Sequence, residues 1–553
     1  MKKISKLLLL VAVSAPLLTG CIDETTPTNL ATETQVQSSE KATASMLWSM
    51  PARINQYQTV SSSAYDWGYG SIMHMRDVMG EEYVVSSSSY DWYTAWEFNR
   101  YLGQGYMYGQ TIWNFCWQVI QTTNKLIGAV DKATATEGQL GMASAGHAFR
   151  AMFYLDFARM YEYLPTVGTD PVSTDALVWK KNADGSIDST RTTVDVTGYT
   201  LPIVTETLTE EAARYNPRVT HEEMAKFIKA DLDTALMYID KLEYSAKTLP
   251  HKAAVYGFYA RYYMWNEDYA NAQKYARLAI DAESHTPLTR TEWLDKSSGF
   301  NTLATSSWIM GSSMIKEDDV VQSGILNWTS WVSNEATYGY ASAGPLSMIS
   351  PYIYDQINDN DFRKLSWKAP AGTYLSGKES YLVPKSTFEK WPDYTSMKFR
   401  PASGNIDDYA IGSASAYPLM RVEEMYFIEA EAAAQQNAED GKKLLEDFMK
   451  KYRFAQYKCK ATSKEEVIDE IFLQKRVEFW GEGINFYDYK RLNKGVHRYF
   501  NGTNFAASGQ YNVSGRPAWM NFVAVQTEAN NNKAYVGWNN PDPSGCYKTG
   551  VDY

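Results

Sequence analysis

Residues 251–281 read HKAAVYGFYARYYMWNEDYANAQKYARLAID. Two runs of helical periodicity, about 251–265 and 268–281, are separated by the polar turn sequence 266–269. Each run carries small residues at helical intervals on one side: Ala253, Gly257 and Ala260 in the first, and Ala272, Ala276 and Ala279 in the second. Because small side chains allow two helices to approach closely, the stretch predicts a tightly packed antiparallel pair.

Helical periodicity recurs on both sides of this pair. Capping-box patterns open two of the helices, with Thr220 and Glu223 at one and Ser463 and Glu466 at the other. The other helical runs are about 109–131, 143–163, 420–434, 444–452 and 467–480. A helix–turn–helix unit of roughly 34 residues with small packing positions resembles a tetratricopeptide repeat. The sequence therefore predicts a mainly α fold, a tetratricopeptide-like helical-repeat scaffold with a long, loop-rich, irregular ligand-binding subdomain.

The chain divides by composition into six segments. Helical periodicity is lost between 282 and about 417, where Ser, Thr, Gly and aromatic residues dominate, and a stretch of that length indicates functional loops over a scaffold. The predicted segments are 1–20, a lipoprotein signal peptide; 21–45, a lipidated cysteine and flexible tether; 46–281, an N-terminal helical scaffold with early aromatic loops; 282–417, a loop-rich insertion that contributes to ligand binding; 418–495, a C-terminal helical block; and 496–553, an irregular tail.

The first twenty residues have the pattern of an export signal. Three lysines precede the apolar run 7–13, and Leu18-Thr19-Gly20-Cys21 is a small-residue cleavage site that ends in cysteine. This site resembles a bacterial lipobox, which implies cleavage before Cys21 and lipidation of its thiol. The acidic pair after Cys21 resembles the tag of surface-exposed lipoproteins. We therefore expect a protein anchored to the outer membrane by lipid, without a spanning helix.

Net charge excludes some partners. The chain has 53 Lys and Arg against 64 Asp and Glu, and removal of the three signal-peptide lysines leaves 50 against 64, a net charge near −14. Nucleic acids attract basic surfaces, so we expect no nucleic-acid partner. Three cysteines remain after Cys21; an odd number at wide spacing is not a disulfide framework, although one bridge is possible in an exported protein.

One short phrase occurs twice near the N-terminus. Tyr65-Asp66-Trp67 and Tyr90-Asp91-Trp92 each follow a serine run, and serine runs favour loops. Aromatic faces stack on the C–H faces of sugar rings, and carboxylates accept hydrogen bonds from sugar hydroxyls. The phrase therefore predicts glycan contact on exposed loops. Burial of both tryptophans as loop anchors in the core is the alternative.

Two long patterns in the C-terminal block carry a family resemblance. Residues 421–432 read RVEEMYFIEAEA, and residues 470–492 read EIFLQKRVEFWGEGINFYDYKRL. Together with the lipobox and the 251–281 repeat, they resemble the signature of the SusD/RagB family of outer-membrane nutrient-binding lipoproteins. The tail departs from the family pattern at 538–543. We expect the signature charges Glu424, Glu429, Glu431, Arg476, Glu478 and Glu482 to form ion pairs between helices rather than a binding site.

The resemblance implies capture of an oligo- or polysaccharide and delivery to a TonB-dependent transporter of the SusC type. The family builds its ligand platform from loops between early helices and from the region after the repeat. The predicted platform is Trp67 and Trp92 with Trp328 or Trp331, and Trp96 either stacks with them or braces them. The predicted hydrogen-bonding residues are Asp66, Asp91, Arg76 and Asn99.

Motifs for catalysis are absent from the sequence. The six histidines form no zinc motif, and the chain has no P-loop, nucleophile elbow or dinucleotide turn, so we expect no metal, no cofactor and no catalytic residues. Asp66, Asp91 and Glu97 could supply a glycosidase pair, but carboxylate separation is not readable from sequence. A lipid-anchored helical glycoside hydrolase is the alternative function, and a lid that binds no ligand itself is a third.

Overall fold

The computed structural model describes residues 39–184 and 186–553. The predicted signal peptide, the predicted lipidation site Cys21 and most of the predicted tether lie outside these residues. Within the described residues, ten helices of ten or more residues form the framework: α1 Glu40–Ile54, α2 Tyr69–Val78, α3 Met107–Gly128, α4 Glu137–Tyr161, α5 His221–Tyr238, α6 Lys252–Trp265, α7 Tyr269–Ala282, α8 Val422–Gln436, α9 Ala438–Tyr452 and α10 Lys464–Glu478.

Shorter helices connect the framework at Thr94–Glu97, Glu210–Ala213, Arg290–Trp293, Asp319–Gln322, Trp328–Val332, Tyr340–Ala343, Pro351–Tyr354, Lys385–Phe388, Tyr409–Gly412, Asn485–Arg491 and Gln526–Asn531. The strands are β1 Tyr83–Val85, β2 Val172–Lys181, β3 Ile187–Asp195, β4 Trp308–Ser313, β5 Ser347–Ile349, β6 Ala416–Arg421, β7 Val496–His497 and β8 Asn512–Val513.

The long helices pack in chain order as a row of neighbours, α3–α4–α5–α6–α7–α8, with α9 and α10 on α8. Gly257 allows this packing in α6, because a Cβ there would overlap the thioether of Met420. Ala272, Ala276 and Ala279 of α7 are fully buried. The small residues of 251–281 thus bring α6, α7 and the later helix α8 together, although 139 residues separate α7 from α8.

The 282–417 region is tied to the helical framework by two-stranded antiparallel sheets. Strand β4 pairs with β6, which leads directly into α8, and β5 pairs with β1, next to α2. Indole rings anchor the region in the core, since Trp308, Trp328, Trp331 and Trp367 are all buried. Loops of this region are therefore held on both sides by the framework.

The signature charges form ion pairs, as predicted, although only some of the pairs join two helices and the others involve a strand or a loop. Arg261 of α6 binds Glu424 of α8 at 2.6 Å, and Arg421 binds Glu482 at 2.8 Å. The remaining signature pairs are Arg277–Glu429, Arg421–Glu478, Arg476–Glu81 and Arg491–Glu431. Buried pairs of this kind require one arrangement of the helices, because any other leaves a charge unpaired.

Within the described residues, no helix is long and apolar enough to cross a membrane. Cys116, Cys459 and Cys546 are unpaired thiols. The tail packs against the early loops: the amide of Asn99 donates to the carbonyl oxygen of Pro543 at 2.7 Å, and Ser544 accepts from the backbone N–H of Leu102 at 2.8 Å.

Candidate functional site

The first Tyr-Asp-Trp phrase lies in the core. Trp67 is 2% exposed, and its indole N–H donates to the hydroxyl of Tyr93 at 2.8 Å. The carboxylate of Asp66 accepts from the backbone N–H groups of Val60 and Ser61 at 2.9 Å each. Trp67 therefore anchors its loop in the core, which is the alternative interpretation of this phrase.

Arg76 and Asn99 are also buried with partners inside the protein. Arg76 donates to the hydroxyls of Tyr487 and Tyr69, and Asn99 holds the tail. The prediction that the following side chains face a glycan from exposed loops is wrong, since all are at most 2% exposed: Asp66, Trp67, Arg76, Trp96, Asn99, Trp328 and Trp331. The physical reason is that these rings pack against one another and that the polar groups are satisfied internally.

The second phrase lies on the surface. Trp92 is 45% exposed and Tyr90 is 53% exposed. Their loop is fixed at its base, where the hydroxyl of Ser86 donates to the carbonyl oxygen of Gly344 at 2.6 Å. Asp91 accepts from the backbone N–H of Tyr93 at 2.9 Å, which closes a tight turn behind Trp92. A rigid loop therefore presents two aromatic side chains to solvent.

Tyr340 joins this loop from the 282–417 region. Its ring stacks on the buried Trp331, with ring centroids 4.4 Å apart and planes 17° from parallel. Burial raises the pKa of Tyr340, while a hydrogen bond with the Trp92 side chain acts in the opposite direction. Trp331 thus supports the platform from beneath, and Tyr340 is the residue of this region that reaches the surface beside Trp92.

A second group of exposed aromatic rings was not predicted from the sequence. Tyr101 and Tyr106 are 52% and 44% exposed, with ring centroids 5.2 Å apart. Tyr101 also stacks on Tyr108 at 6.5 Å, and Tyr108 rests on the edge of the buried Trp96 at 5.1 Å. The sequence feature that could have predicted this group is the clustering of Tyr101, Tyr106 and Tyr108 around Gly103 and Gly105.

The two groups meet at a shared base. Buried Tyr93 contacts Trp331 on one side and Trp96 on the other, at centroid distances of 4.9 and 5.5 Å. The exposed and half-buried rings above this base are named the aromatic surface: Tyr90, Trp92, Tyr101, Tyr106, Tyr108 and Tyr340. It offers flat apolar faces that carry hydroxyl and N–H groups at their edges, which suits ligands with both apolar faces and hydroxyls.

A carboxyl pair lies under the Trp92 loop. Asp91 and Glu97 hydrogen-bond to each other, and burial is the main cause that raises the pKa of both groups. The neighbouring Asp91 raises the pKa of Glu97 further, well above its ordinary value. Hydrogen-bonded carboxyl oxygens are about 3 Å apart or less, whereas a retaining glycosidase separates its two carboxyl groups by about 5 Å.

An interior cavity of about 250 Å³ lies between α4, α6, α8 and α10, and Arg76 lines it. Its walls carry the signature ion pairs, including Arg261–Glu424 and Arg421–Glu482. These charges are matched to partners across the cavity, so the cavity is an ionic core of the scaffold. Among the described residues, no cluster of three or more His, Cys, Asp or Glu side chains could hold a metal ion.

Two family models match the sequence. A model of the SusD family matches residues 354–544, and a model described as "Starch-binding associating with outer membrane" matches residues 34–264. The matches cover both blocks of the scaffold. The chain belongs to the SusD/RagB family. The resemblance seen in the signature residues is thereby confirmed, and so is the mainly helical, tetratricopeptide-like fold.

Solved structures share this fold. A SusD-like carbohydrate binding protein from Bacteroides vulgatus ATCC 8482 is 21% identical, with a TM-score of 0.67 over 90% of this chain and 98% of its own. A SusD superfamily protein from Bacteroides thetaiotaomicron VPI-5482 is 16% identical, with a TM-score of 0.66 and the same coverage. A laminarin-binding SusD-like protein is 16% identical, with a TM-score of 0.56 over 82% of this chain and 91% of its own. No curated protein sequence matches the chain.

The aromatic surface of this SusD/RagB family member draws on separate parts of the sequence. Five of its six residues fall within the 34–264 match, and Tyr340 lies between the two matched ranges. Of the nine predicted ligand residues, Trp92 alone is exposed, and Asp91 lies half-buried behind it. Trp96 and Trp331 instead lie beneath the exposed rings, and Trp328 stacks on the buried Tyr417 in the core.

Proposed function

We propose that this protein captures an oligo- or polysaccharide on the aromatic surface and delivers it to a SusC-like TonB-dependent transporter in the outer membrane. The observation that carries the proposal is the exposed indole of Trp92 on a fixed loop, flanked by Tyr90 and by Tyr340 from a distant part of the chain. Membership in the family and the laminarin binding of a SusD-like relative support it.

Several rings in one surface suit a chain of sugar units better than a single sugar. Stacking of a base on an aromatic residue in nucleic-acid proteins contributes about 1–3 kcal/mol, and a sugar face is a comparable partner. Two or three such contacts give affinities in the micromolar to millimolar range. Binding in this range permits release, which transfer to a transporter requires.

Cys21 is the proposed attachment point. Its lipobox-like sequence supports a lipid anchor, and the family description associates relatives with the outer membrane. A protein held at that surface needs no spanning helix to remain beside a transporter. Its near −14 charge, from 50 basic and 64 acidic residues after the signal peptide, disfavours nucleic acid as a partner.

The proposed role is non-catalytic, and glycoside hydrolysis is the second candidate. Asp91 and Glu97 are the carboxyl groups next to the aromatic surface, which is the observation that favours hydrolysis. They hydrogen-bond to each other, whereas a glycosidase holds its two carboxyl groups apart on either side of the scissile bond. Sustained release of oligosaccharides from a polysaccharide panel by purified protein would refute the binding role and support hydrolysis.

Affinity electrophoresis tests the aromatic surface. The Trp92→Ala variant should lose most of the retardation that wild type shows in gels containing its polysaccharide ligand. Trp48→Ala is the matched control, because Trp48 is 40% exposed and makes an edge-to-face contact with Tyr244 outside the aromatic surface. Equal retardation of Trp92→Ala and wild type on every glycan of the panel would refute the proposed platform.

A further inference from the structure

The outer face of helix α3 has an unusual composition. Lys125 is the one charged residue among its 22, and amides occupy the solvent side. The amides follow helical spacing: Asn114, Gln118 and Gln121 lie on one face, and Trp117 stands beside them. Solvated helix faces generally carry charged residues. A neutral, amide-rich face with a half-buried tryptophan is therefore a feature to be explained.

This face forms one side of an open hollow of about 840 Å³, whose opposite wall is the segment 204–208. A second hollow, of about 580 Å³, shares Trp117 and Val204 with the first. The two hollows together are named the amide groove. Further amides line the second hollow: Asn216, Asn530, Asn531 and Asn532. Trp117 thus lines both hollows, and amides lie in each of them.

The wall opposite α3 is held rigidly by buried groups. Asn124 donates from its side-chain amide to the carbonyl oxygen of Val204 at 2.9 Å, and the N–H of Val204 donates to the hydroxyl of Tyr154 at 2.8 Å. Arg150, which is 4% exposed, pairs with Glu206 at 2.6 Å. The groove therefore keeps its shape without a ligand, which lowers the entropic cost of binding.

Several groups in the groove are without partners. No described residue hydrogen-bonds to the side-chain amides of Asn114 or Gln121. The indole N–H of Trp117 is buried and also makes no hydrogen bond within the described structure. An amide has two donors and an acceptor, and a sugar hydroxyl both donates and accepts, so the two kinds of group are complementary.

The charges of the groove cancel. Its basic residues are Lys125, Arg214 and Lys533, and its acidic residues are Glu206, Glu210 and Glu528. Glu206 pairs with Arg150, and Arg214 pairs with Glu210 at 2.8 Å. An anionic polymer needs a surplus of basic groups, and a basic protein segment needs acidic ones. The neutral lining favours an uncharged polyhydroxylated ligand.

We propose that the amide groove is a second glycan-binding site, selective for neutral oligo- and polysaccharides and separate from the aromatic surface. It rests on the proposed function in that both sites take the same class of ligand. Tyr108, in the first turn of α3, belongs to the aromatic surface, and Gln121 lies 13 residues further along, about 20 Å up the helix axis. A single polysaccharide chain that engages both sites gains avidity.

Calorimetry with maltohexaose and laminarihexaose, together with affinity electrophoresis on starch, laminarin, mannan, xylan, galactan and inulin, tests the second site. The variants are Trp92→Ala, Asn114→Ala/Gln121→Ala and the triple combination. Asn114 and Gln121 make no internal hydrogen bonds, so the double variant should fold as wild type does, which circular dichroism and thermal melting verify. Gln435→Ala on α8 is the control, a single amide remote from both sites.

We expect the Trp92→Ala protein to lose most of the wild-type affinity but to keep weak binding through the amide groove, and the triple variant to bind about tenfold more weakly still. Asn114→Ala/Gln121→Ala should weaken the groove site about tenfold, since it removes two neutral hydrogen bonds. Identical retardation of the double variant and wild type, with all binding lost in Trp92→Ala, would overturn the groove and leave the proposed function intact. If the wild-type protein binds no glycan of the panel, both the second site and the proposed function are overturned. A concentration-dependent dimer that the double variant abolishes would overturn the glycan assignment in favour of a second copy.

Discussion

The carboxyl groups of Asp91 and Glu97 hydrogen-bond to each other beneath the exposed Trp92 loop. Two ionised carboxylates at this separation would repel, so the pair retains a proton at pH values where an isolated glutamate has lost its own. Burial is the largest cause of the raised pKa of Glu97, the charge of Asp91 adds to it, and Arg498 opposes both. The proton shared by Asp91 and Glu97 thus helps to hold the Trp92 loop in place.

Replacing Glu97 with Gln should remove a pH dependence of stability. A carboxyl group whose pKa is raised by folding stabilises the fold fully below its unfolded pKa, and this contribution is lost as the pH rises toward the folded pKa. From about pH 4.5 upward, the free energy of unfolding of wild type should therefore fall relative to Glu97→Gln. Urea titrations at pH 4, 6 and 8 measure the difference, and a difference independent of pH would contradict the shared proton.

The two Tyr-Asp-Trp phrases should respond in opposite ways to truncation. Trp67→Ala removes a buried ring and should cost about 3–5 kcal/mol of unfolding free energy. Trp92→Ala removes an exposed ring and should stay within about 0.5 kcal/mol of wild type. Denaturant unfolding monitored by circular dichroism measures both. A Trp92→Ala protein as unstable as Trp67→Ala would mean that Trp92 is a structural anchor and not a free platform.

Glu478 should be the most sensitive carboxylate of the scaffold. It contacts Arg453 at 2.6 Å, Arg363 at 3.0 Å and Arg421 at 3.1 Å. Burial alone would raise the pKa of Glu478, but the three guanidinium groups lower it far below its ordinary value. Glu478→Gln leaves buried positive charge uncompensated and should cost about 3–5 kcal/mol.

Chemical denaturation at pH 7 measures this loss. Glu222→Gln is the control, because Glu222 and its partner Lys226 form an exposed ion pair one turn apart on α5, and its unfolding midpoint should equal that of wild type. A Glu478→Gln protein with the wild-type midpoint would show that the three arginines are satisfied without this carboxylate.

Two glycine-to-alanine substitutions should differ in their cost to stability, because one glycine packs against backbone and the other against a flexible side chain. A Cβ on Gly441 of α9 would overlap the backbone of Ala434, which cannot move without shifting α8. A Cβ on Gly257 would meet the thioether of Met420, which can rotate away. We expect Gly441→Ala to lower the unfolding free energy by about 1–3 kcal/mol and Gly257→Ala to lower it less. Thermal and urea unfolding of both proteins measure the order, and the reverse order would contradict it.

The sequence predicted the scaffold well because the relevant signals are local. Helical periodicity placed α5–α10, and the capping boxes at Thr220 and Ser463 mark where α5 and α10 begin. The small residues of 251–281 indicated close helix packing, and the signature charges indicated ion pairs. These properties depend on neighbours a few residues apart or on composition, so they can be read without the fold.

The platform could be predicted in part. The serine runs correctly indicated loops, and the second phrase is exposed, but the first phrase has the same residues in the same order and is buried. Trp67 is covered by Trp328, 261 positions later in the chain, with ring centroids 6.3 Å apart. No local pattern distinguishes a tryptophan that will meet such a partner from one that will not.

By itself, the sequence determined a helical-repeat scaffold, its family signature and an aromatic-rich N-terminal region. Only the tertiary structure decided which rings face solvent, that Tyr340 lies beside Trp92, and that the amides of α3 face the 204–208 segment across a groove. The reason is that helix formation and pairing follow from periodic local contacts, whereas the exposure of a side chain is set by whichever distant segments pack over it.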